Sequence, residues 1–164
     1  MKFLNLSWSE IERACLEISQ TIQKSGIKYD AIVSIGRGGM IPSRLLSDYL
    51  NIPQVYMFNI KLYKGINLKN KSVTKEFFNT NLQKRNVLLV DDIIDSGETI
   101  EETYADFSKK DCSNLKVATI VCKQHVTRRP SYYGILCEKE EWVVFPWEKS
   151  EFKVSNQTEL SQDK

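Results

Sequence analysis

A single histidine, His125, among 164 residues leaves no basis for a metal centre built on several imidazoles. Any metal here should be a hard cation held by oxygen. The four cysteines, Cys15, Cys112, Cys122 and Cys137, lack C-x-x-C spacing. An even count argues for disulfides only in small secreted chains, so reduced thiols in a cytoplasmic protein are expected. No apolar run approaches the roughly 18 residues of a membrane-spanning helix, and the N-terminus lacks the apolar centre of a signal peptide. Charge of one sign is scarce too. The net charge is +2, so bulk electrostatics argue for neither nucleic acid nor a membrane as partner. There is no repeat, no low-complexity run and no sign of a second domain. With 41% hydrophobic and 27% charged residues, a chain of this length can bury roughly 68–70% of its unfolded surface.

What the chain does have is concentrated between Val87 and Ile100, V-L-L-V-D-D-I-I-D-S-G-E-T-I. A short, continuously apolar run is the pattern of a strand buried on both faces of a parallel sheet. Asp91 and Asp92 fall at its carboxyl end, where open α/β sheets bind their ligands. Asp95-Ser96-Gly97-Glu98-Thr99 reads as a tight loop feeding a helix that begins near Thr99. Backbone N–H groups in such a loop, beside a helix N-terminus, make an anion site. Carboxylates for hydroxyls or a metal thus stand a few residues from a cradle for a phosphate. A phosphorylated sugar needs both. The plain alternative is that the aspartates end a strand and Asp95 or Ser96 caps a helix.

Upstream, Ser7 to Gly26 reads as an amphipathic helix. Trp8, Ile11, Cys15, Ile18 and Ile22 lie at three- and four-residue spacings, Ser7 and Glu10 fit a capping box, and Gly26 is a natural stop. Ala31 to Ile35 is a short buried strand, followed by Gly36-Arg37-Gly38-Gly39-Met40 and a helix with Pro42 in its first turn. The dinucleotide pattern G-x-G-x-x-G fails here, because Ile41 holds the last glycine position, and the P-loop pattern is absent. What remains is a loop whose glycines let backbone amides approach an anion, with one arginine inside it. A tight turn with a surface arginine is the alternative. Gln54 to Ile60 is a further strand, after which about 20 residues up to Lys84 lack periodicity; such stretches are often functional lids. Thr99 to Lys110 should be a helix, and Leu115 to Cys122, Tyr132 to Leu136 and Trp142 to Phe145 strands. The last 15 or so residues are polar enough to fray.

An acidic pair, two apolar residues, Asp, Ser, Gly, any residue, Thr resembles the phosphoribosyl-pyrophosphate (PRPP) signature of type I phosphoribosyltransferases. One departure is Glu98, where many members carry a second glycine; its side chain should point away from the phosphate. The resemblance covers about residues 5 to 150. I-G-R-G-G-x-x-P resembles the family's pyrophosphate loop, and I-K-L-Y-K-G, V-C-K and E-W-V-V-F-P-W-E look most like the 6-oxopurine branch. Beyond Lys123 the match is patchier, and Gln124-His125 replaces the more usual proline-containing turn. The resemblance implies a single α/β domain over residues 1–150, with a mostly parallel twisted sheet flanked by helices. It also implies a small hood, its loop at about 61–84 with Tyr63 near its start, and leaves 151–164 as a polar tail.

The implied reaction joins a purine base to the anomeric carbon of PRPP and expels pyrophosphate, in purine salvage. Asp91 and Asp92 would accept hydrogen bonds from the ribose hydroxyls and lie close to Mg²⁺, the expected cofactor. Asp95 would be the acid/base at purine N7. Ser96, Gly97, Glu98 and Thr99 complete the PRPP loop, with the 5′-phosphate held by backbone donors and the Ser96 and Thr99 hydroxyls. Arg37, Gly38 and Gly39 would receive pyrophosphate. Lys123 would donate to the purine 6-oxygen, Trp142 would stack on the base, and the backbone near Val143 would face position 2. Lys69, Lys71 and Lys75 could serve the leaving group or form a solvated basic face. The expected partners are PRPP, a base and further copies of the chain in a dimer or tetramer. Two other classes compete. A signalling receiver domain would need a phosphate-accepting aspartate on a later strand, and none lies between Asp111 and Asp163. A nucleotide-sensing, RNA-binding regulator on the same fold would use a basic face around Lys123, Arg128 and Arg129.

Overall fold

The apolar runs become the middle of a sheet because both of their faces are covered. In the computed structural model, which describes residues 2–64, 71–76 and 80–148, with the backbone alone for 61–64 and 71–74, β2 (Ala31–Ile35) is buried throughout. It lies parallel to β5 (Asn86–Ile94), with Ala31 opposite Val87 and Ser34 opposite Val90. On one side follow β3 (Val55–Lys64) and β4 (Lys71–Glu76), on the other β6 (Asn114–Lys123) and β7 (Tyr132–Cys137), giving the order β4-β3-β2-β5-β6-β7. All pairs are parallel except β3–β4. The chain winds outward from β2 through α2 (Met40–Leu50) to β3, then returns to β5 and winds the other way through α3 (Glu98–Ser108) to β6. That reversal between β2 and β5 is a topological switch point, where doubly wound sheets open a crevice at the strands' carboxyl ends.

Helices cover both faces. One apolar core joins Ile32, Leu88, Val90 and Ile120 to α1 (Trp8–Lys24) and to Leu46 of α2. The other joins Val33, Leu89 and Phe58 to Ile100 and Phe107 of α3. The expected capping box is formed, since the Glu10 amide donates to Ser7 Oγ at 3.3 Å and the Ser7 amide to Glu10 Oε2 at 2.8 Å. Ile11, Cys15, Ile18 and Ile22 are buried. Trp8 is not part of that stripe. It is 56% exposed, with its ring 5.7 Å from that of Trp147. The helix meets the edge strand at Gly134, where a Cβ would stand 2.6 Å from that of Ala14. Among the described residues no helix is long and apolar enough to cross a membrane.

Three expectations need correction. First, β5 does not stop at its acidic pair but runs on to Ile94. β6 keeps pairing with it as far as Ile94 and Cys122, whereas β2 leaves after Val90. The carboxylates therefore stand in a strand that has lost one neighbour. Second, the stretch read as structureless from 61 to 84 contains the end of β3 and all of β4, paired from Asn59–Glu76 to Lys64–Lys71. An antiparallel ribbon satisfies its backbone with cross-strand bonds and needs no apolar periodicity. Tyr63 lies in β3 and its side chain, like that of Lys71, is outside what is described, as is Lys69. Third, a strand went unread: β1 (Lys2–Asn5) pairs in parallel with β8 (Glu141–Val144), Phe3 opposite Trp142, as a separate two-stranded sheet. The tail at 151–164 also falls outside the described residues.

Candidate active site

Two loops at the switch point are shaped by glycines. Gly36 leaves β2 at φ +54, a left-handed conformation with open space beyond its Cα, so conformation rather than crowding calls for glycine there. Its amide donates to Phe58 O at 2.8 Å. Gly39 caps α2 without a side-chain hydrogen bond, and its own amide is taken by Ile35 O at 3.1 Å. Of the two glycines expected to receive pyrophosphate, Gly39 thus spends its N–H within the loop. A Cβ on Gly38 would fall among the carboxyl atoms of Asp92, and one on Gly39 would run into the backbone of Val90 and Ile35. The second loop turns at Gly97, φ +86, which caps α3 and again offers no side-chain cap. The first-turn amides of a helix have no intrahelical partner and can meet an anion. The Glu98 amide reaches Ser96 Oγ at 3.4 Å, and Thr99 O accepts from Thr103 Oγ1 at 2.7 Å.

Between the loops lie Asp91 and Asp92, 8% and 7% exposed. Burial pushes both carboxyls above the ordinary aspartate range, Asp91 far above it, where the neighbouring Asp92 charge adds to the effect. The Asp92 amide donates to Asp91 Oδ1 at 3.0 Å. Among the described residues no three acidic, cysteine or histidine side chains gather into a metal cage. Two crowded, buried carboxylates nonetheless favour a nearby cation, and Mg²⁺ needs only one or two protein carboxylates when a substrate's phosphates supply the rest. The donor set fits a cation shared with substrate.

A cleft of about 380 Å³ gathers Gly36, Arg37, Gly38, Asp91, Asp92 and Thr99. A second hollow of about 260 Å³, sharing Asp91, Asp92 and Thr99, adds Asp95, Ser96 and Gly97. Trp147 and Glu148 also line the first cleft. Neither was among the candidate site residues, because nothing in the local pattern P-W-E marks a ligand contact. Trp147 also stacks on Phe145 at 4.8 Å between ring centres.

The other expected groups are arranged differently. Lys123 ends β6, opposite Cys137 of β7, only 5% exposed, and its Nζ donates to the carbonyls of Lys139 (3.0 Å) and Glu141. Trp142 lies on the outer face of β8, 54% exposed, while Val143 points inward and is 8% exposed. Neither Trp142 nor Lys123 lines the two hollows above. Lys75 is drawn to α3, 2.5 Å from Asp106 and 3.3 Å from Glu102, which pins the β3–β4 ribbon to that helix. Asp95 is exposed, and His125 Nε2 stands 3.7 Å from its Oδ1.

The doubly wound sheet belongs to the class of open α/β proteins, which bind their ligands at the switch point, here between two glycine-turned loops and beside a buried carboxylate pair. The comparisons narrow this. The phosphoribosyl transferase domain model matches residues 6–151, and the chain belongs to that family, in its type I form. A xanthine-guanine phosphoribosyltransferase of Idiomarina loihiensis is 24% identical over 143 residues, 87% of this chain and 85% of that protein. The structure of a purine phosphoribosyltransferase from Pyrococcus horikoshii superposes with a TM-score of 0.79 at 28% identity, covering 90% of this chain and 94% of the other. A Neisseria gonorrhoeae protein solved with bound ppGpp superposes at 0.78 and 30% identity, covering 90% of each chain.

Proposed function

We propose that the protein transfers the 5-phosphoribosyl group of PRPP to a 6-oxopurine base, guanine, hypoxanthine or xanthine, and releases pyrophosphate. The observation that carries this reading is the buried pair Asp91–Asp92 between two glycine-turned loops at the switch point. Ser96, Gly97 and Thr99 would hold the 5′-phosphate. Asp91 and Asp92 would accept from the ribose hydroxyls, and Arg37 with the Gly38 amide would receive pyrophosphate. Mg²⁺, shared between the aspartates and substrate oxygens, would neutralise charge on the leaving group. N9 of the base attacks the anomeric carbon, and the bond from that carbon to pyrophosphate breaks with its electron pair staying on pyrophosphate. The proton on N7 passes to Asp95, as suits a general base within hydrogen-bond reach. Lys123 supports an oxopurine over adenine, because an ammonium only donates and the adenine 6-amino group donates too. The free state of all four cysteines suits work in the cytoplasm.

A second reading, a nucleotide-sensing regulator with little catalysis, is favoured by one observation, the ppGpp bound to the Neisseria relative. Turnover with PRPP and Mg²⁺ against guanine, hypoxanthine, xanthine and adenine separates the two. Transfer to one or more oxopurines and none to adenine is expected. No transfer to any base, with guanosine nucleotides bound tightly, would favour the regulator.

A further inference from the structure

We propose that His125 is a positioning residue, holding the Asp95 carboxylate in line with N7 of the base; the proposal rests on the role given to Asp95 above. Asp95 leaves the end of β5 with a side chain 66% exposed. Among the described residues, His125 is the only side chain within ion-pair range of it, at 3.7 Å. Proton transfer requires heavy atoms about 2.6–3.2 Å apart, and a misplacement of about 1 Å can cost roughly 100-fold. An exposed aspartate with no partner would spend much of its time in other rotamers. At 3.7 Å the pair is in ion-pair range, and a small rotation that lets an imidazole N–H donate to one oxygen would leave the other to face the base.

The histidine is itself well placed to do this. Its turn is closed by the Val126 amide on Lys123 O at 3.2 Å and tied to β7 by the Gln124 amide on Cys137 O at 2.9 Å. The next side chain, Val126, is 6% exposed and lies 3.8 Å from where a Cβ on Gly97 would be. The turn carrying His125 therefore packs directly against the loop carrying Asp95, which keeps the two backbone segments side by side. The other cations of this segment, Lys123, Arg128 and Arg129, are placed elsewhere. Lys123 is bound to two carbonyls, and Arg128 lies over the Tyr104 ring at 4.8 Å. Arg129 lines a separate hollow against α3.

The test uses the full chain, PRPP, Mg²⁺ and the best oxopurine in single-turnover mode, with His125→Ala, His125→Gln and His125→Phe. Glutamine carries an N–H donor at nearly the position of Nε2; phenylalanine fills the space without one. Expected are a single-turnover rate about 10-fold lower in the alanine and phenylalanine variants, most of it recovered by glutamine, and an unchanged KM for PRPP. In an Asp95→Asn background, His125→Phe should change the rate by less than about twofold, because the two residues act as one unit. If alanine lowers the melting temperature, the glutamine–phenylalanine pair still decides. An unchanged rate in His125→Phe, an equal loss in glutamine and phenylalanine, full additivity with Asp95→Asn, or a PRPP KM that rises in step with the loss would each overturn the proposal while the wild type remains active. A wild type that transfers to no base would remove the reading of the site itself, and this proposal with it.

Discussion

The Gly38 backbone passes so close to the Asp92 side chain that a Cβ at position 38 would lie 2.6 Å from the Asp92 carboxyl carbon. The neighbouring glycine is crowded by something less yielding, the backbone of Val90 and Ile35, which comes from two central strands. The two substitutions should therefore fail in different ways. Gly38→Ala should push the Asp92 carboxylate aside and raise the KM for PRPP about 10-fold or more, with melting within about 2 °C of wild type, because a side chain can rotate. Gly39→Ala should lower stability by about 1–3 kcal/mol, as overpacking does, and be visible in the melt before any substrate is added. Equal melting temperatures for the two variants would refute this division.

Asp91 and Asp92 should cost the protein stability when no ligand is bound. Burial, reinforced at Asp91 by the Asp92 charge, raises the carboxyls above their ordinary range. An acid with a raised folded pKa holds its proton better folded than unfolded. The cost is absent below the unfolded value, near pH 4, grows as pH rises towards the folded value, and is complete above it. Asp91→Asn removes one of the charges. Without ligand it should melt at least about 2 °C higher than wild type at pH 8, with the gap closing as pH falls towards 4. The same variant should lose the rise in melting temperature that PRPP with Mg²⁺ gives the wild type through linkage. A variant less stable than wild type at pH 8 would contradict the sign.

The two tryptophans of E-W-V-V-F-P-W-E should separate in a similar test. Trp142 is 54% exposed on β8, whereas Trp147 stacks on Phe145 and touches Trp8. Stacking a base on an aromatic ring is worth about 1–3 kcal/mol. Trp142→Ala should therefore raise the KM for the base roughly 5- to 150-fold with little change in melting. Trp147→Ala should lower the melting temperature. If Trp142→Ala leaves base KM untouched, that ring is not the platform, and Trp147, which lines the cleft, becomes the candidate.

The elements legible in the sequence are those whose local pattern and tertiary role agree. The runs at Ala31 and Val87 are apolar because they are covered on both faces, and the capping box at Ser7 is a contact between residues three apart. What was missed depends on distant partners. β1 is a four-residue strand with mostly exposed side chains, and it exists because β8, at Glu141–Val144, lies beside it. β4, K-S-V-T-K-E, has the polar composition of a loop and is held by its ribbon partner and by the ion pair of its Lys75 with Asp106 of α3. The site divides likewise. Its aspartates and glycines are contiguous motifs, but the closeness of His125 to Asp95 and the arrival of Trp147 and Glu148 in the cleft follow only from the fold. The extension of β5 through its acidic pair was hidden because it depends on where β2 stops pairing.

Lys123 holds the turn into β8, and the proposed reading of the base would give it a second task that the same substitution should reveal. Its ammonium carries three donors. Two are committed to the carbonyls of Lys139 and Glu141, in the turn that leads into β8. The same turn is held from the other side by Lys2, 2.7 Å from Glu141 Oε1, and by the Glu138 amide on Glu141 Oε2 at 3.0 Å. One donor is left for a 6-oxygen, and the lysine that would read the base also fixes the strand that carries Trp142. Lys123→Ala should therefore lose oxopurine selectivity, since sites built on one polar contact reject mismatched bases by about 10⁴-fold or more. It should also leave two carbonyls without their charged donor, so backbone amides at 138–142 should exchange faster than in wild type. Lys123→Met, which keeps the apolar length without donors, should match alanine in both readouts. Selectivity lost with exchange unchanged would mean that the carbonyl contacts do not hold the turn. Faster exchange with selectivity intact would remove Lys123 from base recognition.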